Sequence, residues 1–178
     1  MFSRLFQPLK GALTPRPQAV TLGTDKGENQ RMFYSPILAP IVALVAWTLL
    51  IMAWMVVSRF AAMKRKGISL KGRVGGRGGA ALEGVVEDEV MWKAHNYMHL
   101  VEQPTLFYAI ALTLAVGHAG GGYSAILAWA YVALRVVHSL VQTTVNIITY
   151  RFILWVLSSL ALAGLVVQAI RMICGHIA

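Results

Sequence analysis

A chain of 178 residues that is 57% hydrophobic and 13% charged is too apolar for an ordinary water-soluble domain and too short for several domains. Its net charge of +9 comes from 16 Lys and Arg against 7 Asp and Glu, and its lone cysteine, Cys174, excludes an intrachain disulfide and a Cys-rich metal site. The composition describes one all-α integral membrane domain.

Residues 1–31 read as an appendage to a membrane domain spanning 32–178. Phe2, Leu5, Phe6 and Leu9 recur at helical spacing beside Arg4 and Lys10, a pattern suited to a short amphipathic helix on an anionic membrane surface. Pro15, Pro17 and Gly23 then turn the segment into linker, and Met32 offers an alternative start. The segment lacks the apolar core of a secretory leader. As an arm outside the bundle, it is the part expected to engage a larger membrane complex.

Four stretches are long enough to cross a hydrocarbon core of about 30 Å: approximately Ile37 to Val57, Val90 to Val116, Ser124 to Thr149, and Phe152 to Ile170. A four-transmembrane-helix bundle is therefore expected, with the lipid bilayer as its surroundings. After the first span, residues 59–77 hold Arg59, Lys64, Arg65, Lys66, Lys71, Arg73 and Arg77 and no acid. The positive-inside rule places the connection over 59–89 in the cytoplasm, although Arg4, Lys10, Arg16, Lys26 and Arg31 pull the other way. The run from Lys71 to Gly79 invites comparison with a phosphate loop or a Gly/Arg RNA-binding segment. It follows no strand and precedes no Lys-Ser/Thr helix, so it reads as a loop that touches anionic headgroups, with no nucleic acid as partner. Glu83, Glu87, Asp88 and Glu89 come next, where acids favour the positive end of a helix.

The second span carries His95, His99 and Glu102 at i, i+4 and i+7, with Asn96 one position round. Pro104 removes a backbone donor and predicts a bend. On the third span Arg135, His138, Gln142 and Asn146 advance by 3, 4 and 4 residues, flanked by Ser139 and Thr143. Unsatisfied polar groups are costly in hydrocarbon, so the two stripes are expected to face each other. Glu102 and Arg135 both lie about 16–18 Å into their spans by helix rise, so an ion pair between them is expected near the midplane. His95, His138, Gln142 and Asn146 fall on the cytoplasmic side of that pair, with Arg151 at the turn into the fourth span. Metal binding by His95, His99, Glu102 and His138 would need both helices to converge where the ion pair stands, so no metal is expected.

The run NYMHLVEQPTLFY from Asn96 to Tyr108, followed by Arg135-Val-Val-His138-Ser139 and by Asn146 to Arg151, resembles the MAPEG family of membrane proteins in eicosanoid and glutathione metabolism. The resemblance is to its bacterial branch and covers about residues 32–171. It implies a homotrimer in the bacterial inner membrane, with glutathione as co-substrate between neighbouring subunits near the cytoplasmic side. It also implies transfer of glutathione to lipophilic electrophiles, reduction of lipid hydroperoxides, or isomerisation of a prostaglandin endoperoxide. By position, Arg151 matches the arginine that stabilises the glutathione thiolate, while Glu102, Arg135 and His138 match residues of the glutathione pocket. His95, His99, Gln142 and Asn146 complete the candidate binding set.

The chemistry of Arg151 stands beside that resemblance. A thiol of pKa about 8.5 is mostly protonated at neutral pH, and a guanidinium near a helix N-terminus favours the thiolate. The second span departs from the family's mammalian enzymes, showing His95, Met98 and His99 where they carry arginines and an asparagine, and Gln142 replaces a tyrosine. Fewer cations for the glutathione carboxylates keep a second reading open: a non-catalytic membrane scaffold, or an accessory subunit of a larger membrane complex.

Overall fold

Long apolar runs without interior breakers give helices whose backbone groups are all satisfied within the segment, the condition for crossing hydrocarbon. A computed structural model of the chain describes residues 35–72 and 78–175, and every regular element among them is helical. The expected amphipathic arm over 1–31 and the centre of the Gly/Arg loop lie outside the described residues. The helices are α1 (Leu38–Arg65), α2 (Asp88–Glu102), α3 (Pro104–Val116), α4 (Tyr123–Thr144) and α5 (Ile148–Gly175). A short 3-10 turn, Gly78–Leu82, precedes α2. Taken together, α2 and α3 form one of four spans long and apolar enough to cross a membrane.

The first helix runs past its apolar stretch to Arg65, so Arg59, Lys64 and Arg65 ride on helix and not on loop. Ala61, Ala62, Met63 and Lys64 are good helix formers, and the cations in the last turn suit the negative end of the helix dipole. The helix ends at Gly67, whose φ of +66° allows Gly67 N–H to reach Lys64 O and Ile68 N–H to reach Met63 O. Beneath this end a small apolar cluster of Ala62, Val86, Val90 and Met91 ties the connection to the bundle. Lys93 lies over the Trp54 ring at 5.1 Å, and Arg65 meets Glu87 at 3.4 Å. A backbone N–H and the Arg65 charge hold the Glu87 carboxyl below its ordinary range.

The bend expected at Pro104 is a full break, with Gln103 as the joint and Pro104 in the first turn of α3. Thr105 Oγ1 donates to the Glu102 carbonyl at 2.6 Å, satisfying an acceptor at the break, and Gln103 Nε2 donates to Ser159 Oγ on α5 at 2.8 Å. The third span is shorter than expected. It ends at Thr144, and Ile148 and Thr149 already belong to α5.

The distribution of side chains is that of a membrane protein. Leu50 at 63% exposed and Leu160 at 64% face outward, where lipid is as apolar as a protein core. Inside, α4 packs most extensively on α5 and also touches α1 and α2. Its buried face combines Ala128, Tyr131 and Val132 with Arg135, His138, Ser139, Gln142 and Thr143. Phe107 of α3 stacks on Tyr131 at 4.5 Å between ring centroids and closes the apolar half of the core.

Candidate functional site

The inward face of α4 is a polar column set among apolar neighbours. Arg135 is 2% exposed, and His138, Ser139 and Gln142 are buried below it in turn. Arg135 Nε donates to the Tyr131 hydroxyl at 3.2 Å, and its guanidinium lies over that ring at 5.4 Å. Tyr131 was not singled out in the sequence, although its place four residues before Arg135 on the same helical face is the signal that finds it.

The two polar stripes do not meet as expected. The contact from α2 is made by Asn96, fully buried, whose Nδ2 donates to Ser139 Oγ at 2.6 Å. His95, His99 and Glu102 lie one helical position round from Asn96. His99 approaches His138 edge-on at 6.4 Å between ring centroids. His95 Nε2 pairs with Glu83 Oε1 at 3.0 Å, in the segment before α2. Glu102 points away from Arg135: its side chain is 65% exposed and its ion-pair partner among the described residues is His99, at 3.6 Å. The expected Glu102–Arg135 pair is therefore not formed within the chain. The cause is helical phase, because the side of α2 that faces α4 is set by Asn96 and Leu100, leaving Met98, Val101 and Glu102 on the outer side.

Arg151 stands in the first turn of α5, and Asn146 holds it there. Asn146 follows α4 in a left-handed conformation, φ +51°, which asparagine tolerates better than most residues. Its N–H bonds to Val141 O at 2.7 Å, and its Oδ1 accepts from Arg151 Nη1 at 2.7 Å. Asn146 is thus a turn residue that orients the cation, not the last member of a helical stripe. We expect Asn146→Ala to lower stability by about 1 kcal/mol through the left-handed backbone alone, whereas Asn146→Gly restores stability without restoring the Arg151 contact. Thermal unfolding of the two variants checks this, and equal midpoints would refute the backbone argument.

The column is under-bonded. Asn96 Oδ1, Arg135 Nη2, His138 Nδ1, Gln142 Oε1 and Arg151 Nε are all buried and have no hydrogen-bond partner of good geometry among the described residues. Such atoms are costly, and a set of them along one path asks for water or a polar ligand. Two are cationic donors and two are amide acceptors, which suits a molecule carrying carboxylates and peptide N–H groups. Among the described residues no three His, Cys, Asp or Glu side chains converge as metal ligands.

The MAPEG family model matches residues 37–171. Comparison with curated proteins and with solved structures returns no match. Because the family match takes in every residue of the column and reaches all four spans, this chain belongs to the MAPEG family and is an integral membrane protein.

Proposed function

We propose that this chain acts as a homotrimeric, glutathione-dependent transferase or peroxidase on lipophilic substrates. The family includes glutathione transferases and peroxidases as well as non-catalytic members. The observation that carries the reading is the under-bonded column ending in Arg151, because a fold that gained nothing from those five atoms would not leave them buried and unpaired. Glutathione would supply the nucleophilic sulfur. Arg151, fixed by Asn146, places positive charge where that sulfur must be ionised, and Arg135 offers Nη2 to a carboxylate. Asn96 Oδ1 is open to a peptide N–H group, and Gln142, which lies against His138, can turn its amide oxygen toward another. Calorimetric titration of the purified protein with glutathione, repeated with an S-alkyl analogue, should give saturable binding of both. No binding at millimolar concentration would reject the enzymatic reading.

Trimer formation has its own support in Glu102. A carboxylate near the middle of a span costs a few kcal/mol, about 2.5–3.5 by insertion scales, unless it is covered. Within one chain it is more exposed than not, so a second copy is its natural cover. Native mass spectrometry from mild detergent should show three chains, and a stable monomer would overturn this. The basic connection over 59–89 supports a cytoplasmic placement in an inner membrane, which would open the Arg151 end of the column to soluble glutathione.

A second reading, a scaffold or accessory subunit using residues 1–31 as its arm, is favoured by one observation. His95 is occupied with Glu83 and is turned away from the column, so the second span offers a ligand fewer groups than its polar stripe suggests.

A further inference from the structure

The column lies toward one end of the bundle. At the other end, the turn between α3 and α4 and the last turns of α5 enclose an open cleft of about 590 Å³, and no step of the proposed chemistry uses it. Its polar wall is His118, Tyr123, Ser124, Gln168 and Arg171.

Local structure builds the cleft. Helix α3 ends with His118 in a left-handed conformation, φ +55°, its N–H bonded to Ala115 O while Ala119 N–H reaches Leu114 O. A Cβ at Gly117 would meet the Met172 thioether, so the side chain of Met172 on α5 lies directly over the end of α3. The chain then enters α4 through Gly122, φ +52°, which gives that helix no side-chain cap. The positive end of a 22-residue helix therefore opens on the cleft. A separate observation points to a ligand there. Ser124 is only 5% exposed and lines the cleft, yet its hydroxyl has no hydrogen-bond partner among the described residues.

Charge and surroundings narrow the ligand class. No Asp or Glu follows Glu102 in the sequence. The described acids lie before α2, in its first turn, or at mid-span, so none neutralises Arg171 within the described bundle. The side chains of His118, Tyr123, Gln168 and Arg171 likewise make no hydrogen bond or ion pair among the described residues. Among the described residues the cleft is thus rich in donors and carries a guanidinium with no carboxylate partner. Directly beside it are lipid-facing apolar groups, Val116, Ile170 and Ile173, and the exposed Tyr123 ring stands at the end of its span, where aromatic side chains meet headgroups.

We propose that this cleft binds the phosphate of a glycerophospholipid headgroup, with Arg171 as its cation, the Ser124 hydroxyl as a donor at the positive end of α4, and the acyl chains along Val116 and Ile170. A guanidinium matches two phosphate oxygens in one plane. A free anion would leave the neighbouring apolar wall unused, which is why a lipid is the better fit. The assignment stands apart from glutathione, since it shares no residue with the column.

The test uses the full-length protein in neutral detergent, titrated with dioleoylphosphatidylglycerol while bound lipid is counted by native mass spectrometry. Parallel titrations use dioleoylphosphatidylcholine, whose phosphate is shielded by choline, and millimolar inorganic phosphate as competitor. Phosphatidylglycerol should bind more tightly than phosphatidylcholine and should resist displacement by phosphate. Arg171→Gln should weaken its binding about tenfold and Ser124→Ala about threefold, the losses expected for one charge-assisted and one neutral contact. Arg171→Lys should keep part of the affinity, and Lys66→Gln at the opposite end should change nothing. The same spectra report assembly, so a variant that has lost its fold is recognised, and Ser124→Ala then carries the test. Unchanged lipid binding in both Arg171→Gln and Ser124→Ala, an equal loss in Lys66→Gln, or equal affinity for the two lipids would overturn the proposal. Displacement by inorganic phosphate would overturn the lipid assignment in favour of a soluble anion.

Discussion

Arg151→Ala is expected to reduce glutathione transfer, measured as kcat/KM with a lipophilic electrophile, by about a hundredfold or more, the scale for removing a preorganised group that stabilises developing negative charge. The ultraviolet thiolate absorbance that wild-type protein should generate on binding glutathione at neutral pH should vanish with it. The reason is geometric. Arg151 is held at the start of α5 by Asn146 Oδ1 at 2.7 Å, so its charge is in place before any ligand arrives. Arg151→Lys should retain part of the signal, because an ammonium keeps the charge but cannot bond Asn146 and a ligand in one plane. The assembled mass should be unchanged in both variants. A thiolate signal that survives Arg151→Ala would remove this residue from the chemistry.

The second large effect has opposite signs in two measurements. Arg135 is 2% exposed, has no carboxylate partner among the described residues, and leaves Nη2 unbonded there. Burying a charge in that state is unfavourable, and exchanging buried ionic groups for apolar ones of similar size often stabilises by about 1–4 kcal/mol. Arg135→Met should therefore raise the unfolding midpoint of ligand-free protein in detergent. The same variant should lose glutathione binding by calorimetry, about a hundredfold if a bonded carboxylate is left without its cation. A residue that weakens the fold and is needed for the ligand is the mark of a functional site. Should Arg135→Met destabilise the protein instead, Nη2 has its partner in a neighbouring copy and the cost falls on assembly.

The four spans were legible because the length and polarity of a hydrophobic run decide membrane crossing with little help from tertiary contacts. Pro104 told where the second span breaks, since a missing N–H has the same effect in any surroundings. Arg135, His138 and Gln142 were also readable, because α4 is central and its polar stripe has only one way to avoid lipid. Helical phase was not. Asn96 and His95 are neighbours in sequence, and which of them turns inward depends on how α2 settles against α4 and on the small apolar cluster under Val86 and Val90. The Glu102–Arg135 pairing failed for that reason: equal depth in two helices does not imply a shared azimuth. Periodicity makes Asn146 a fourth rung of a helix because it is blind to the left-handed turn that ends it. Tyr131 escaped notice because an aromatic residue on a membrane helix looks like ordinary apolar packing until its hydroxyl meets a guanidinium.

The break between α2 and α3 also bears on how the protein enters its membrane. The two halves have 15 and 13 residues. At 1.5 Å per residue they reach about 22 and 20 Å, while the hydrocarbon layer is about 30 Å thick. Neither half crosses alone, so the insertion machinery must accept both as one segment despite the interrupted hydrogen-bond ladder between them. That segment is the least apolar of the four, and it carries the carboxylate at its joint. The second span is therefore the weakest insertion signal in the chain, and the strongly apolar α1, synthesised just before it, must already be seated for it to follow.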